Sequence, residues 1–148
     1  MKKYKVKMNE NGDSFYYYNG KLHREDDFPA ILKMNGDFEW YQNGKLHRTD
    51  GPAVECANGD KCWYQDGKLH RTDGPAVERA DGTKKWYQDD KQHRTDGPAI
   101  ECANGDKYWY LDGKHLTEEE FNRQTNSCNG KVVEIDGKKY QLKEVKCD

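Results

Sequence analysis

The chain has 148 residues, of which 33% are hydrophobic and 35% are charged, and its mean hydropathy is −1.32. This composition is too polar for a two-layer domain with a thick apolar core, while an aromatic content of 12% is not typical of disorder. The formal net charge of −2 gives no electrostatic basis for general binding to nucleic acids or to membrane surfaces. Two lysines without an apolar run behind them predict no signal peptide, and no later stretch has the length of a membrane span, so we expect a cytoplasmic protein.

One repeated stretch organises the sequence. GKLHRTDGPAVE occurs at residues 44–55 and 67–78, with a close copy at 90–101 and a degenerate copy at 20–32. Each tryptophan precedes a tyrosine, and the tryptophans recur with a constant 23-residue period: Trp40, Trp63, Trp86 and Trp109. A fixed period of this size is typical of an array whose units contact only their neighbours. We predict an array over residues 1–113, with units at about 1–18, 19–42, 43–65, 66–88 and 89–111, and a C-terminal cap over 114–148.

Each repeat contains an Asn-Gly or Asp-Gly pair between short runs of β-forming residues, which predicts a hairpin with a type I′ turn. With a two-residue turn at Asn58-Gly59, Val54 would lie opposite Trp63 and Ala53 opposite Tyr64. Alternation would then place the tryptophans with the valines on one face and the tyrosines with the alanines on the other. The predicted fold class is all-β, an elongated single antiparallel meander of stacked hairpins.

The segments between the hairpins form a second turn region, which ends in Asp-Gly-Pro in most repeats. In the first repeat, residues 25–29 read EDDFP, with one extra residue and no glycine, so we expect a distorted connection there. At the N-terminus, residues 3–18 predict a degenerate first hairpin about Asn11-Gly12.

The array pattern ends after Gly113. Thr117 followed by Glu120 is a capping box, which predicts a short helix at about residues 117–124. A last hairpin at about 131–146 would turn at Asp136-Gly137. Because an open sheet needs its end covered, we interpret this helix and hairpin as a cap.

The 23-residue units resemble the MORN repeat, in particular the MORN-like variant WYxNGKxHRxDGPA found in predicted proteins of bacteriophages, large viruses and bacteria. The match covers about residues 13–113, although an arginine replaces the usual MORN glycine after the histidine. The resemblance implies an elongated, twisted sheet with a scaffold or binding role. MORN proteins are linked to membrane recognition, dimerisation and protein binding, and the phage setting implies interference with a bacterial defence or host factor.

The recurring His-Arg-Thr-Asp block offers an imidazole, a guanidinium and a carboxylate at one point of each repeat. The candidate contacts to a partner or ligand are His47, Arg48, Asp50, His70, Arg71, Asp73, His93, Arg94 and Asp96. The favoured alternative is structural, with these groups bonded to their own loop or to the next one. Tyr64, Tyr87 and Tyr110 are further candidates as a stacking surface, with cross-strand packing as their favoured alternative.

The sequence predicts no enzyme, no cofactor and no metal. Identical repeated sites lack the differentiation that catalysis needs, and no nucleophile elbow, kinase loop or phosphate-binding loop is present. Five cysteines without a CxxC pair predict neither a secreted disulfide framework nor a zinc site.

Several functional hypotheses stay open at this point. The leading one is a non-enzymatic protein-interaction module, a phage-type inhibitor whose partner is a host protein. The second is a sponge that holds a nucleotide signal between arginine, histidine and aromatic side chains. A lipid-associated scaffold of the MORN type and self-association into a homo-oligomer are less favoured, and an enzyme is least favoured.

Overall fold

The structure is a computed structural model that describes residues 3–125 and 132–141, which form twenty strands and one helix. In chain order the elements are β1 (Lys5–Met8), β2 (Ser14–Tyr18), β3 (Lys21–Leu22), β4 (Ile31–Leu32), β5 (Phe38–Glu39), β6 (Tyr41–Gln42), β7 (Lys45–Leu46), β8 (Val54–Glu55), β9 (Lys61–Cys62), β10 (Tyr64–Gln65), β11 (Lys68–Leu69), β12 (Val77–Glu78), β13 (Lys84–Lys85), β14 (Tyr87–Gln88), β15 (Lys91–Gln92), β16 (Ile100–Glu101), β17 (Lys107–Leu111), β18 (Lys114–Leu116), α1 (Glu118–Thr125), β19 (Val132–Ile135) and β20 (Lys138–Gln141).

The main feature is one antiparallel sheet of twelve strands. Its hydrogen-bonded order is β1-β2-β4-β5-β8-β9-β12-β13-β16-β17-β18, with β3 beside β2, and over the described residues the sheet is open. This order confirms the predicted single meander of hairpins. Each repeat adds two strands, so at about 4.8 Å per strand a repeat advances about 10 Å and the whole path spans about 50 Å.

A second, smaller hairpin lies in each full repeat, inside the segment that the sequence analysis treated as a connecting turn. These hairpins pair β6 with β7, β10 with β11, and β14 with β15. Their two central residues both have positive φ, as at Asn43 (52°) and Gly44 (84°), which is typical of a type I′ turn. In the third of them Asp89 (48°) and Asp90 (65°) adopt the same turn without a glycine.

The predicted two-residue turn of the main hairpins is wrong. The Cys56 amide donates to the Asp60 carbonyl and the Gly59 amide donates to the Cys56 carbonyl, both at 2.9 Å, so three residues form the loop. Of these three only Gly59 has a positive φ (95°), which is typical of a type I turn followed by a G1 bulge. The register therefore moves by one residue, and Val54 lies opposite Cys62.

This shift exchanges the two faces of the sheet, so the predicted grouping of tryptophan with valine and tyrosine with alanine is also wrong. Glu39 lies beside Val54 in the sheet and accepts a hydrogen bond from the Tyr41 hydroxyl at 3.0 Å. The tyrosines thus lie on the valine face. Trp63 lies on the alanine face, where its amide donates to the carbonyl of the fully buried Ala76 at 2.8 Å.

A ladder of opposite charges crosses the sheet on the tryptophan face. The directly opposed pairs are Glu55–Lys61, Lys61–Glu78, Glu78–Lys84, Lys84–Glu101 and Glu101–Lys107. Opposite charges at directly opposed positions stabilise strand pairing. The ladder therefore allows many charged residues to contribute to a sheet that has little apolar core.

Acceptor side chains connect each main-hairpin turn to the turn of the next repeat. The bonds run from the backbone amides of Met34, Ala57, Ala80 and Ala103 to Asp13 (2.8 Å), Asp37 (2.9 Å), Asp60 (2.8 Å) and Thr83 (3.2 Å), respectively. The Ala80 amide and the Arg79 guanidinium together hold the pKa of Asp60 below its usual range. Each repeat thus orders the turn that follows it.

The predicted helix is present at the end of the array. Thr117 is its N-cap, since Thr117 Oγ1 accepts from the Glu120 amide (3.2 Å) and Glu120 Oε2 accepts from the Thr117 amide (2.9 Å). The helix packs against β17 and β18, where Phe121 and Leu116 are buried. This contact covers the last strands of the main sheet.

Beyond the helix, β19 and β20 pair antiparallel about Asp136 and Gly137, as predicted. The outer positions of that predicted hairpin, residue 131 and residues 142–146, lie outside the described residues. Among the helices of the described chain, none has the length and apolar character needed to cross a membrane.

Replacing Ala76 by leucine should lower the free energy of unfolding by about 1–3 kcal/mol, because a fully buried alanine leaves no room for the added carbons. The matched control is Ala103→Leu, since Ala103 is exposed, in the turn between β16 and β17. Urea unfolding followed by circular dichroism measures both. Equal effects of the two substitutions would contradict the close packing at Ala76.

Candidate functional site

Four connecting loops link successive units, at residues 24–29, 48–52, 71–75 and 94–98, and a groove separates each loop from the next. We call these the first, second and third grooves in chain order. Their volumes are about 90, 660 and 480 Å³, so the first is largely filled and the other two are open. Nine of the predicted site residues line them: His47, Arg48, Asp50, His70, Arg71, Asp73, His93, Arg94 and Asp96.

In three successive repeats an arginine lies over a tryptophan ring. The guanidinium carbons of Arg48, Arg71 and Arg94 lie 3.9, 4.1 and 3.9 Å from the ring centres of Trp40, Trp63 and Trp86. Cation–π contact of this kind is favourable, and more so where water is excluded. The first unit has the same arrangement with Arg24 over Tyr16, at 3.9 Å.

The Nη1 group of each arginine holds its own loop and strand. Arg71 Nη1 donates to the Pro75 carbonyl at 3.2 Å and to Glu78 at 3.1 Å, and the other repeats show the same pair of bonds. The arginine side chains are only 14–22% exposed. These arginines therefore have a structural role, which their Nη1 groups perform. The edge formed by Nε and Nη2 faces the groove.

In the first groove, Asp27 fills this edge. Its carboxylate accepts from Arg48 Nε at 2.6 Å and from Arg48 Nη2 at 2.7 Å, and its backbone carbonyl accepts from Trp40 Nε1 at 3.0 Å. The hydrogen bond from Arg48 holds the pKa of Asp27 below its usual range. Asp26 and Asp27 have positive φ (60° and 56°), so the connection is distorted, as its extra residue predicts.

In the second groove, the Nε and Nη2 edge of Arg71 is only partly hydrogen-bonded. Arg71 Nε donates to Asp73 at 2.9 Å, whereas among the described residues neither Arg71 Nη2 nor Trp63 Nε1 has a hydrogen-bond acceptor. The loop at 48–52 is one residue shorter than the loop that carries Asp27 and has no residue with positive φ. Its Gly51 lies against its own Arg48, where an added Cβ would be 3.1 Å from the guanidinium carbon. No residue of this loop bonds Arg71 as Asp27 bonds Arg48, and the groove stays open.

The third groove repeats this arrangement: Arg94 Nε donates to Asp96 at 2.7 Å, and Gly74 lies against its own Arg71, where an added Cβ would be 2.9 Å from the guanidinium carbon. Hydrogen bonds from the arginines hold the pKa values of Asp73 and Asp96 below their usual range. Asp50, at the equivalent position of the first full repeat, has no bond to Arg48 within the described chain, because Asp27 occupies that edge.

The repeated histidines connect neighbouring repeats. The Nδ1 atoms of His23, His47, His70 and His93 accept from the backbone amides of Asn43 (3.0 Å), Asp66 (3.1 Å), Asp89 (3.3 Å) and Asp112 (3.1 Å). The Nδ1 atoms of His47, His70 and His93 also lie 3.3, 3.4 and 2.9 Å from the Oδ1 atom of the same aspartates. Each of these histidines therefore contacts the turn of the next small hairpin through Nδ1.

The tyrosine candidates are outside the grooves. Burial raises the pKa of Tyr64, and the Tyr87 hydroxyl accepts from Gln92 Nε2 at 3.2 Å. Tyr110 packs edge-on against His115, with ring centres 5.0 Å apart. The structure thus brings the histidines, arginines and aspartates together, and separates the tyrosines from them.

Three contributors to the grooves are absent from the residues that the sequence predicts. Trp63 and Trp86 line the second and third grooves beside Thr72, and Asp27 lines the first. The signal for Asp27 in the sequence is the loop at residues 25–29, which has an extra acidic residue and lacks the glycine of the other copies.

The described residues contain no group of three or more His, Cys, Asp or Glu side chains that could hold a metal ion. Cys56 and Cys62 are free, and burial is the main factor that raises the pKa of both thiols. A thiol with a raised pKa is a weak nucleophile at neutral pH.

No family model matches this chain, and no curated protein matches it. The repeated hairpin unit is therefore defined by the sequence and the structure alone.

Asp27→Asn should lower the free energy of unfolding at neutral pH by less than about 1 kcal/mol, since the pair with Arg48 is partly exposed. The pKa of Asp27 is lower in the folded state, so its contribution is present above the unfolded value of about 3.9 and is lost as the pH falls through the folded value. The difference between wild type and variant should therefore shrink at acidic pH.

The control for this measurement is Asp26→Asn, because Asp26 has the same backbone conformation and no bond to Arg48 within the described chain. Denaturant unfolding of all three proteins across the acidic range gives the comparison. A stability difference for Asp27→Asn that does not depend on pH would contradict the ion pair.

Proposed function

We propose that this chain is a non-enzymatic binding protein that holds a partner protein in its second and third grooves. The observation that carries the proposal is the presence of two equivalent, adjacent and open grooves, each with an arginine edge and an indole N–H not fully used by the described chain. Polar groups that are half-buried and lack partners gain free energy when a ligand completes their hydrogen bonds. The two grooves together form a repeated recognition surface.

Repetition favours binding over catalysis. The second and third grooves have the same residue types at the same positions, whereas a catalytic site needs differentiated groups in an acid, base or nucleophile role. Equivalent contacts in neighbouring repeats instead act together on one extended partner.

We further propose that the units are MORN-like repeats. The 23-residue hairpin period, the aromatic strand and the Asn/Asp-Gly-Lys-x-His segment support this assignment. The MORN-like variant implies a phage-type protein that inhibits a host factor in the host cytoplasm. The partner would then be a host protein.

Sequestration of a nucleotide is the second candidate, because the open arginine edge also suits a phosphate. Against it, Arg71 already covers one face of the Trp63 ring, which reduces the surface on which a base could stack.

Thr72→Trp tests the binding surface. Thr72 is exposed and lines both open grooves, so an indole at this position should fill them while the arginines keep their structural bonds. We expect capture of the partner from host lysate, measured by quantitative mass spectrometry, to fall at least about tenfold, which corresponds to a loss of about 1.4 kcal/mol.

The control Ala103→Trp adds the same bulk at an exposed turn outside the grooves. A partner that the Thr72→Trp variant captures as well as the control does would remove the grooves from the interface. Release of a nucleotide from the denatured wild-type protein, with no captured protein, would favour the second candidate.

A further inference from the structure

In the first groove, one residue of the chain itself occupies the binding site. Asp27 supplies a carboxylate to the Nε and Nη2 edge of Arg48 and a backbone carbonyl to Trp40 Nε1. A side-by-side pair of bonds between guanidinium and carboxylate is among the stronger charge-assisted contacts in proteins. The Trp-Arg pair of this repeat therefore recognises an aspartyl residue through its side chain and its main chain together.

The same pair recurs in the second and third grooves without an occupant from the described chain. Trp63 with Arg71 at 4.1 Å, and Trp86 with Arg94 at 3.9 Å, stack nearly as the first pair does at 3.9 Å, and they make the same loop bonds. Their indole Nε1 and arginine Nη2 groups have no acceptor within the described residues.

A local carboxylate partly occupies each open site. Asp73 and Asp96 each accept one bond from Nε through one oxygen, and their side chains are 81% and 79% exposed. In the first groove the equivalent Asp50 is absent from the edge, where Asp27 is bound instead. An incoming aspartate thus replaces a weak, exposed ion pair by a pair with two bonds.

Other acidic groups near the site do not prevent this binding. Asp27 binds Arg48 although Glu55 already contacts the same guanidinium at 2.9 Å and Asp26 is adjacent in sequence. Glu78 and Glu101 have the same relation to Arg71 and Arg94. The open sites therefore have the same acidic surroundings in which the first site binds a carboxylate.

We propose that the two open grooves bind an acidic peptide segment, with one aspartate in each groove. This inference rests on the proposed function and names the chemistry of its partner. The repeat advance of about 10 Å sets the distance between the two aspartates. A polyproline II peptide repeats every three residues, or about 9.3 Å, so an Asp-x-x-Asp segment presents both side chains on one side at the required spacing.

The direct test is the binding of a fluorescein-labelled peptide containing Asp-Pro-Pro-Asp to the full chain, measured by fluorescence anisotropy. Replacing both aspartates by asparagine should weaken binding about tenfold or more, because the charge-assisted bonds are lost. A peptide of the same composition with the two aspartates adjacent should also bind more weakly, since it reaches one groove only. Equal binding of the three peptides would overturn the proposal.

The protein variants test the mechanism of recognition. Asp73→Asn with Asp96→Asn should tighten peptide binding by a few-fold to about tenfold, because each removes an exposed ion pair that competes for the arginine edge. The matched control is Asp50→Asn, which removes a charge from the second groove without freeing an arginine and should have a smaller effect. Unchanged affinity in the double variant would overturn the competition and with it the proposal.

Arg71→Lys with Arg94→Lys keeps both charges and removes the planar fork, so peptide binding should fall about tenfold or more. Thermal unfolding reports whether this variant is folded, and the aspartate variants decide the question if it is not. A nucleoside triphosphate that displaces the peptide and binds more tightly than it does would also overturn the proposal.

Failure of this inference is distinguishable from failure of the proposed function. If no acidic peptide binds but Thr72→Trp still abolishes capture of a partner, the grooves bind another chemistry and the inference alone is wrong. If the peptide binds as expected but Thr72→Trp leaves partner capture unchanged, the grooves are peptide sites and the proposed function is wrong.

Discussion

The arginine that lies over each of Trp40, Trp63 and Trp86 is the contact on which the rest of the structure depends. A single-layer sheet has no second layer to bury its aromatic rings, and the guanidinium takes that place at 3.9–4.1 Å from the ring centre. The same group then holds the connecting loop through a proline carbonyl and the sheet through a glutamate. One side chain thus joins ring, loop and strand in each repeat, and the direction of its remaining edge decides what the groove can bind.

Most of the architecture follows from periodicity, which is why the sequence predicts it well. The 23-residue tryptophan period and a capping box at Thr117 are patterns that no tertiary contact needs to supply. The strand register of the main hairpins cannot be predicted in the same way. An Asn-Gly pair suits both a two-residue turn and the last two positions of a three-residue loop, and at Asn58-Gly59 the bond between Cys56 and Asp60 selects the longer loop.

The candidate site shows a similar division. The repeated histidine, arginine and aspartate do lie together along the grooves, because equivalent positions in an array stack on one another. The role of each side chain depends on atomic geometry that the sequence does not reveal. Examples are the bond of His70 Nδ1 to a neighbouring turn and the single edge that Arg71 presents to the groove. Nor does it reveal that Asp27 crosses to the next repeat, which requires the positive φ values of that loop.

The bonds between repeats all run from one unit to the next, as from Ala57 to Asp37 and from Ala80 to Asp60. A unit inserted by tandem duplication would therefore find every donor and acceptor it needs on its two neighbours, and the flanking units would keep theirs. In such a chain the number of binding grooves and the stability of the fold can change independently. Recombination within the gene could lengthen or shorten the recognition surface in steps of one groove, without altering the chemistry of those already present.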